Sequence, residues 1–70
     1  MKNEIYAVVR PEKIDKLTKL VEAYDHLGVV STLDREAGLV IVRVTPDTFT
    51  DVEQILQNLP FYVEIVENKE

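Results

Sequence analysis

The sequence predicts a single α+β domain of four strands and two helices, arranged β-α-β-β-α-β. Three observations lead to this prediction. Two segments have apolar residues at helical spacing, four short segments are rich in β-branched and aromatic residues, and the middle two of those are joined by a short turn. Seventy residues suffice for one domain, so we treat 1–70 as one unit.

The first half of the chain contains the first strand and the longer helix. Ile5 to Arg10 is the first predicted strand, and Pro11 suits the first turn of a helix that we extend to about Leu27. We expect Gly28 to end that helix in a left-handed conformation. The apolar stripe of the helix is Ile14, Leu17, Leu20, Val21, Tyr24 and Leu27.

The second half contains a hairpin, a helix and a last strand. The hairpin strands are Val29 to Leu33 and Leu39 to Val44, with Asp34 starting the turn and Gly38 free to take a positive φ. Helix 2 follows Thr48 and carries an apolar stripe. Its members are Phe49, Val52, Ile55, Leu56 and Leu59. Pro60 ends it, and 61–66 is the fourth strand.

This order of elements is the split βαβ pattern of the ferredoxin-like fold. Right-handed crossovers give a four-stranded antiparallel sheet of order 4-1-3-2, with both helices on one face. Within it we take strands 1 and 3 to run parallel to each other. We place the Ile5, Ala7, Val9 set and the Val40, Val42, Val44 set beneath the helices.

The face of the sheet without helices is unusually apolar. By alternation it carries Tyr6, Val8, Leu39 and Ile41, joined by Tyr62. A solvated face should instead alternate with polar residues, and a contiguous apolar patch marks an interaction site. We therefore expect these five residues to mediate self-association as a homodimer, face to face or through an edge strand. The alternative is that the chain's own tail covers the patch.

Composition excludes several function classes. With no cysteine and one histidine, His26, we expect no metal, no cofactor and no disulfide. The net charge is −5, and residues 46–70 hold six acids against Lys69 alone, which argues against nucleic-acid binding. The longest apolar run has four residues, Leu39 to Val42, so we expect no membrane partner and a cytoplasmic protein.

The candidate ligand site consists of Arg10, Arg43 and Tyr6. If the central strands are parallel, the two guanidiniums are neighbours and can hold a carboxylate or phosphate. The alternative is that each arginine pairs with a surface acid such as Glu64 or Glu36, or with a partner subunit.

We find no catalytic residues. His26 suits the helix dipole in the last turn of helix 1, and Glu22 and Asp25 suit a solvated helix face. The sequence also lacks the motifs by which other proteins with this fold bind their ligands. Amino-acid-binding ACT domains carry a glycine in the loop after strand 1, and the loop here, Val9-Arg10-Pro11-Glu12, has none. RNA-recognition domains carry aromatic residues on strand 3 that stack on bases, and strand 3 here has none.

Two stretches resemble known families. Residues 1–13, MKNEIYAVVRPEK, resemble the start of PII-type signalling proteins, whose nucleotide-binding loop between strands 2 and 3 is longer than this hairpin. Residues 22–34, EAYDHLGVVSTLD, with Gly38-Leu39-Val40 and Asn58-Leu59-Pro60-Phe61, look like a family of small uncharacterised bacterial proteins. That resemblance implies an ACT-like fold and a bacterial setting, and it assigns no activity.

Three functions stay open at this point. The first is a non-enzymatic dimeric domain that regulates or scaffolds a protein partner or senses a small ligand. The second is a binder of small anions or metabolites through Arg10 and Arg43. The third is an accessory subunit of an enzyme complex.

Overall fold

A computed structural model describes residues 3–24 and 28–66, which form one four-stranded sheet and two α-helices. The strands are β1 (Glu4–Val8), β2 (Val29–Asp34), β3 (Leu39–Arg43) and β4 (Glu64–Val66). The helices are α1 (Ile14–Glu22), preceded by a 3-10 turn over Pro11–Lys13, and α2 (Phe49–Gln57). The strand order β2-β3-β1-β4 confirms the predicted ferredoxin-like arrangement.

The core lies between the helices and one face of the sheet, and the predicted strand parity is confirmed. Both predicted strand sets are buried together with part of each helical apolar stripe. The buried cluster consists of Ile5, Ala7, Val9, Ile14, Leu17, Val21, Val40, Val42, Val44, Val52 and Leu56. Burial of this apolar surface is the main favourable term in folding.

The orientation predicted for the two central strands is wrong. β1 and β3 pair antiparallel, in a register that places Glu4 opposite Arg43 and Val8 opposite Leu39. A right-handed crossover makes β1 parallel to β2, and the hairpin then reverses the chain into β3. The neighbouring central strands therefore run in opposite directions.

The end of helix 1 also differs from the prediction. α1 ends at Glu22, so Tyr24 of the predicted buried stripe is 49% exposed. The C-cap residue of α1 is Ala23, so the predicted cap at Gly28 is wrong. A glycine is still favoured there, because an added Cβ would lie 3.1 Å from Cγ1 of Val42 and 3.2 Å from the carbonyl oxygen of Arg43. Leu27 lies outside the described residues.

The β2–β3 turn forms as predicted. The backbone N–H of Ala37 donates to the Asp34 carboxylate at 3.1 Å, and Gly38 has φ +74°. The Gly38 carbonyl accepts a hydrogen bond from the Val9 N–H at 2.9 Å. This bond ties the hairpin to the chain just beyond β1, and the approach is so close that a Cβ on Gly38 would collide with the Val9 carbonyl.

Candidate functional site

The sheet face opposite the helices, which we call the open face, carries a continuous apolar band. One row across the strands reads Ser31, Ile41, Tyr6 and Val66, from β2 to β4. Residues of a row that lie directly opposite on adjacent strands have Cβ atoms about 4.5–5.5 Å apart, so they form a contiguous surface.

A second row of the open face contributes two more apolar residues. Leu39 and Val8 lie opposite each other on the central strands, with Asp34 and Glu64 on the edge strands. Tyr6, Val8 and Leu39 are half-buried, whereas Ile41 is 3% exposed although it is not part of the core beneath the helices. Four of the five residues predicted on the open face are therefore brought together, with Ile41 at the centre, and the fifth, Tyr62, lies outside the paired strands.

Charged residues bound the band at both ends. At one end Glu4 and Arg43 lie opposite each other, with the Arg43 Nη1 atom 3.7 Å from the Glu4 carboxylate. The Tyr6 hydroxyl donates to the other oxygen of Glu4 at 3.4 Å, which holds this carboxylate in place. At the opposite end, the row that contains Val8 and Leu39 is flanked on the edge strands by two acids, Asp34 and Glu64.

The two arginines of the predicted ligand site are not brought together. Because β1 and β3 are antiparallel, Arg43 lies opposite Glu4 at the start of β1, whereas Arg10 follows its end. Arg10 instead forms an exposed ion pair with Glu12 at 3.8 Å. Each arginine thus pairs with an acid, as the alternative interpretation expected, but the acids are Glu12 and Glu4 and not Glu64 or Glu36.

Arg10 does lie at a groove between the end of β1 and the segment that enters β4. This β1–β4 groove has a volume of about 580 Å³. Its apolar walls are Val8, Val9, Phe61 and Tyr62, and its charged groups are Arg10, Lys13 and Glu64. The Lys13 ammonium lies 5.7 Å from the centre of the Phe61 ring, within range of a cation–π interaction.

Sequence reasoning did not find this groove. The alternation pattern predicts Tyr62 on the open face, but Tyr62 precedes β4, is 78% exposed and lines the groove. Lys13 and Phe61 are 48 positions apart in the chain and come together only because β4 pairs with β1. The lone indication in the sequence was an aromatic pair directly after Pro60.

Of the remaining candidate residues, Glu22, Asp25 and His26, the structure describes only Glu22, and its role is structural. Glu22 accepts a hydrogen bond from the Val30 N–H at 3.1 Å and so links the end of α1 to β2. His26 and Asp25 lie outside the described residues. Within 3–24 and 28–66 no cluster of His, Cys, Asp or Glu could hold a metal ion, and no helix in that part could cross a bilayer.

The fold and the open face define a small ferredoxin-like α+β domain with both helices on one face of its sheet. Residues 8–63 match the family model DUF4911, a domain of unknown function, and the chain belongs to that family. Comparison with curated proteins and with solved structures finds no significant match. The ACT-like assignment and the PII resemblance stay predictions.

Proposed function

We propose that this protein is a non-enzymatic scaffolding or regulatory domain that works as a homodimer, with two copies packed open face to open face. The apolar band of the open face carries this proposal. Its members are Tyr6, Val8, Leu39, Ile41 and Val66. Sheets that pack face to face lie about 10 Å apart and interdigitate side chains of this kind.

A second copy is the occupant that the arrangement of charges favours. A twofold axis that runs along the strands, between β1 and β3, exchanges those two strands between the copies. Because Glu4 and Arg43 share a row, Arg43 then lies over the partner's Glu4, and Glu4 over the partner's Arg43. A twofold interface must be self-complementary, and this row of charges fulfils that condition.

The same axis also matches the apolar rows. Ile41 lies over the partner's Tyr6, and Leu39 over the partner's Val8. At the edge strands the match is poorer, because Val66 lies over the partner's Ser31 and the exposed Asp34 over the partner's exposed Glu64. Complete burial of such a side chain is worth about 1.5–3 kcal/mol. Since Tyr6, Val8 and Leu39 are already half-buried in one chain, the dimer gains only part of this amount from each.

The need of a small domain for further burial supports self-association. A chain of about this length buries only about 60% of the surface that its unfolded form exposes. Small domains are usually stabilised by disulfides, metals or association, and this one has no cysteine. A dimer of this form presents both helix layers outward, where exposed Asp47 and Asp51 can meet a protein partner, and we place it in the cytoplasm.

Native mass spectrometry tests the dimer, with a double variant as the decisive comparison. Val8→Thr combined with Leu39→Thr makes the band polar while keeping residues that favour strands. We expect a dimer for the wild type and a monomer with unchanged circular dichroism for the double variant. Ile41 is less suited to this test, because it is already buried in one chain and Ile41→Glu would destabilise the monomer.

Tyr24→Ser is the matched control, since Tyr24 is an exposed aromatic residue just after α1, the helix that packs on the other face of the sheet. It should leave the dimer intact. A monomeric wild type would contradict the proposal. A double variant that stays dimeric would also contradict it, and would indicate pairing through the β2 edge.

A further inference from the structure

We propose that the β1–β4 groove binds a small aromatic carboxylate. The ring would pack against Phe61 and Tyr62, and the carboxylate would be held by Arg10 and Lys13. This site shares Arg10 with the predicted pair Arg10 and Arg43 but does not include Arg43, which the antiparallel sheet keeps away from it.

The size and walls of the groove indicate a ligand with an apolar body. A volume of about 580 Å³ falls within the range of about 300–1,000 Å³ typical of small-molecule sites. An inorganic anion would leave most of that space unfilled. Two aromatic rings next to two valines favour a flat ring, which can stack on or meet the edge of another ring.

The charges of the groove indicate a single negative charge on the ligand. Arg10 and Lys13 are opposed by one acid, Glu64, so the lining carries a net charge of +1, from two positive groups and one negative. A monoanion is attracted, whereas Glu64 disfavours a second negative charge. The Arg10–Glu12 pair is exposed and separated by 3.8 Å, and pairs of this kind are worth about 0–1 kcal/mol, so a ligand can displace Glu12.

The backbone favours a carboxylate over a phosphate. Phosphate sites usually rely on several free N–H groups at a glycine-rich turn. Here the Val9 N–H donates to the Gly38 carbonyl at 2.9 Å, and the Lys13 N–H donates to the Arg10 carbonyl at 2.8 Å. These two N–H groups are therefore not free for a phosphate, whereas a guanidinium matches a carboxylate through two parallel hydrogen bonds.

Benzoate is the probe, added to the full-length protein while the backbone amides are followed by NMR. We expect saturable shifts concentrated at the amides of Val9, Lys13 and Tyr62. Benzylamine supplies the same ring with a positive charge, and acetate supplies the carboxylate without a ring. Neither should produce saturable shifts. The absence of saturation with benzoate, or equal shifts with either control, would overturn the proposal.

Single substitutions assign the contacts. Arg10→Gln and Lys13→Gln should each weaken benzoate binding about tenfold or more, since each removes a charge-assisted hydrogen bond. Lys16→Gln removes the same charge from an exposed position on α1 outside the groove and should leave binding unchanged. If Lys16→Gln weakened binding as much as the other two, the effect would be general electrostatics and the site would be refuted. The groove shares Val8 and Glu64 with the open face, so the oligomeric state of the same samples is read by native mass spectrometry.

Discussion

Glu4 and Arg43 lie directly opposite each other on the two central strands, and their charged groups approach to 3.7 Å at one end of the open face. The Arg43 side chain is 62% exposed and that of Glu4 is 35% exposed, so within one chain the pair contributes little to stability. The position of the pair matters for association between two chains. In the proposed dimer the same two groups also face their counterparts in the partner.

A charge exchange therefore predicts selective heterodimers. Glu4→Arg gives one chain two cations at this row, and Arg43→Glu gives the other chain two anions. Each variant alone should dimerise more weakly than the wild type, because like charges then meet both within and between chains. Mixed together, they should form heterodimers above the share that random mixing yields, as measured by native mass spectrometry.

The control for this exchange is another ion pair of the same chain. Arg35 and Asp15 approach to 3.5 Å and are both exposed, away from the open face. The variants Asp15→Arg and Arg35→Glu should mix at random. Heterodimer preference in this control pair, or its absence in the first pair, would show that the twofold axis does not run between β1 and β3.

Gly38→Ala should destabilise the protein severely. A Cβ at this position would collide with the Val9 carbonyl, and φ +74° is strained for any residue with a side chain. We expect a loss of at least about 2 kcal/mol in the free energy of unfolding, measured by urea denaturation at fixed protein concentration. Ala37→Ser, in the same turn and exposed, should change it by less than about 0.5 kcal/mol. Equal effects from both would refute the close-approach argument.

Gly28→Ala should have a smaller effect than Gly38→Ala. The added Cβ would lie 3.1 Å from a methyl carbon of Val42, which can shift by a few tenths of an ångström, and 3.2 Å from the Arg43 carbonyl oxygen, without the backbone overlap that occurs at Gly38. We expect a cost of about 1 kcal/mol in the same denaturation experiment. A larger loss than that of Gly38→Ala would mean that Gly28 takes a conformation closed to alanine.

Leu17→Ala should come close to unfolding the domain. Leu17 is fully buried between α1 and the sheet, and truncation of such a residue costs about 2–5 kcal/mol. Small domains have a total stability near the lower end of about 5–15 kcal/mol. Leu33→Ala is the matched control, because Leu33 on the edge strand β2 is 50% exposed. It should leave the thermal unfolding midpoint nearly unchanged, and a comparable loss would contradict the assigned core.

The order and type of the elements followed from local patterns. Alternation along β1 and β3 correctly divided Ile5, Ala7 and Val9 from Tyr6 and Val8, because the side-chain period of a strand is independent of what packs on it. Helical spacing likewise identified the buried residues of α1 and α2, although it extended the stripe of α1 to Tyr24, which is exposed. The positive φ of Gly38 was predictable because a tight turn imposes it locally.

What the sequence by itself determined is the set of elements, the two faces of the sheet and the apolar character of the open one. The tertiary structure decided where distant residues meet. It placed Arg43 beside Glu4 and away from Arg10, and brought Lys13 to Phe61. The physical reason is that periodicity is encoded residue by residue, whereas strand direction and the proximity of ends depend on how crossovers close the sheet. A local sequence pattern therefore does not predict which distant residues the closed sheet brings together.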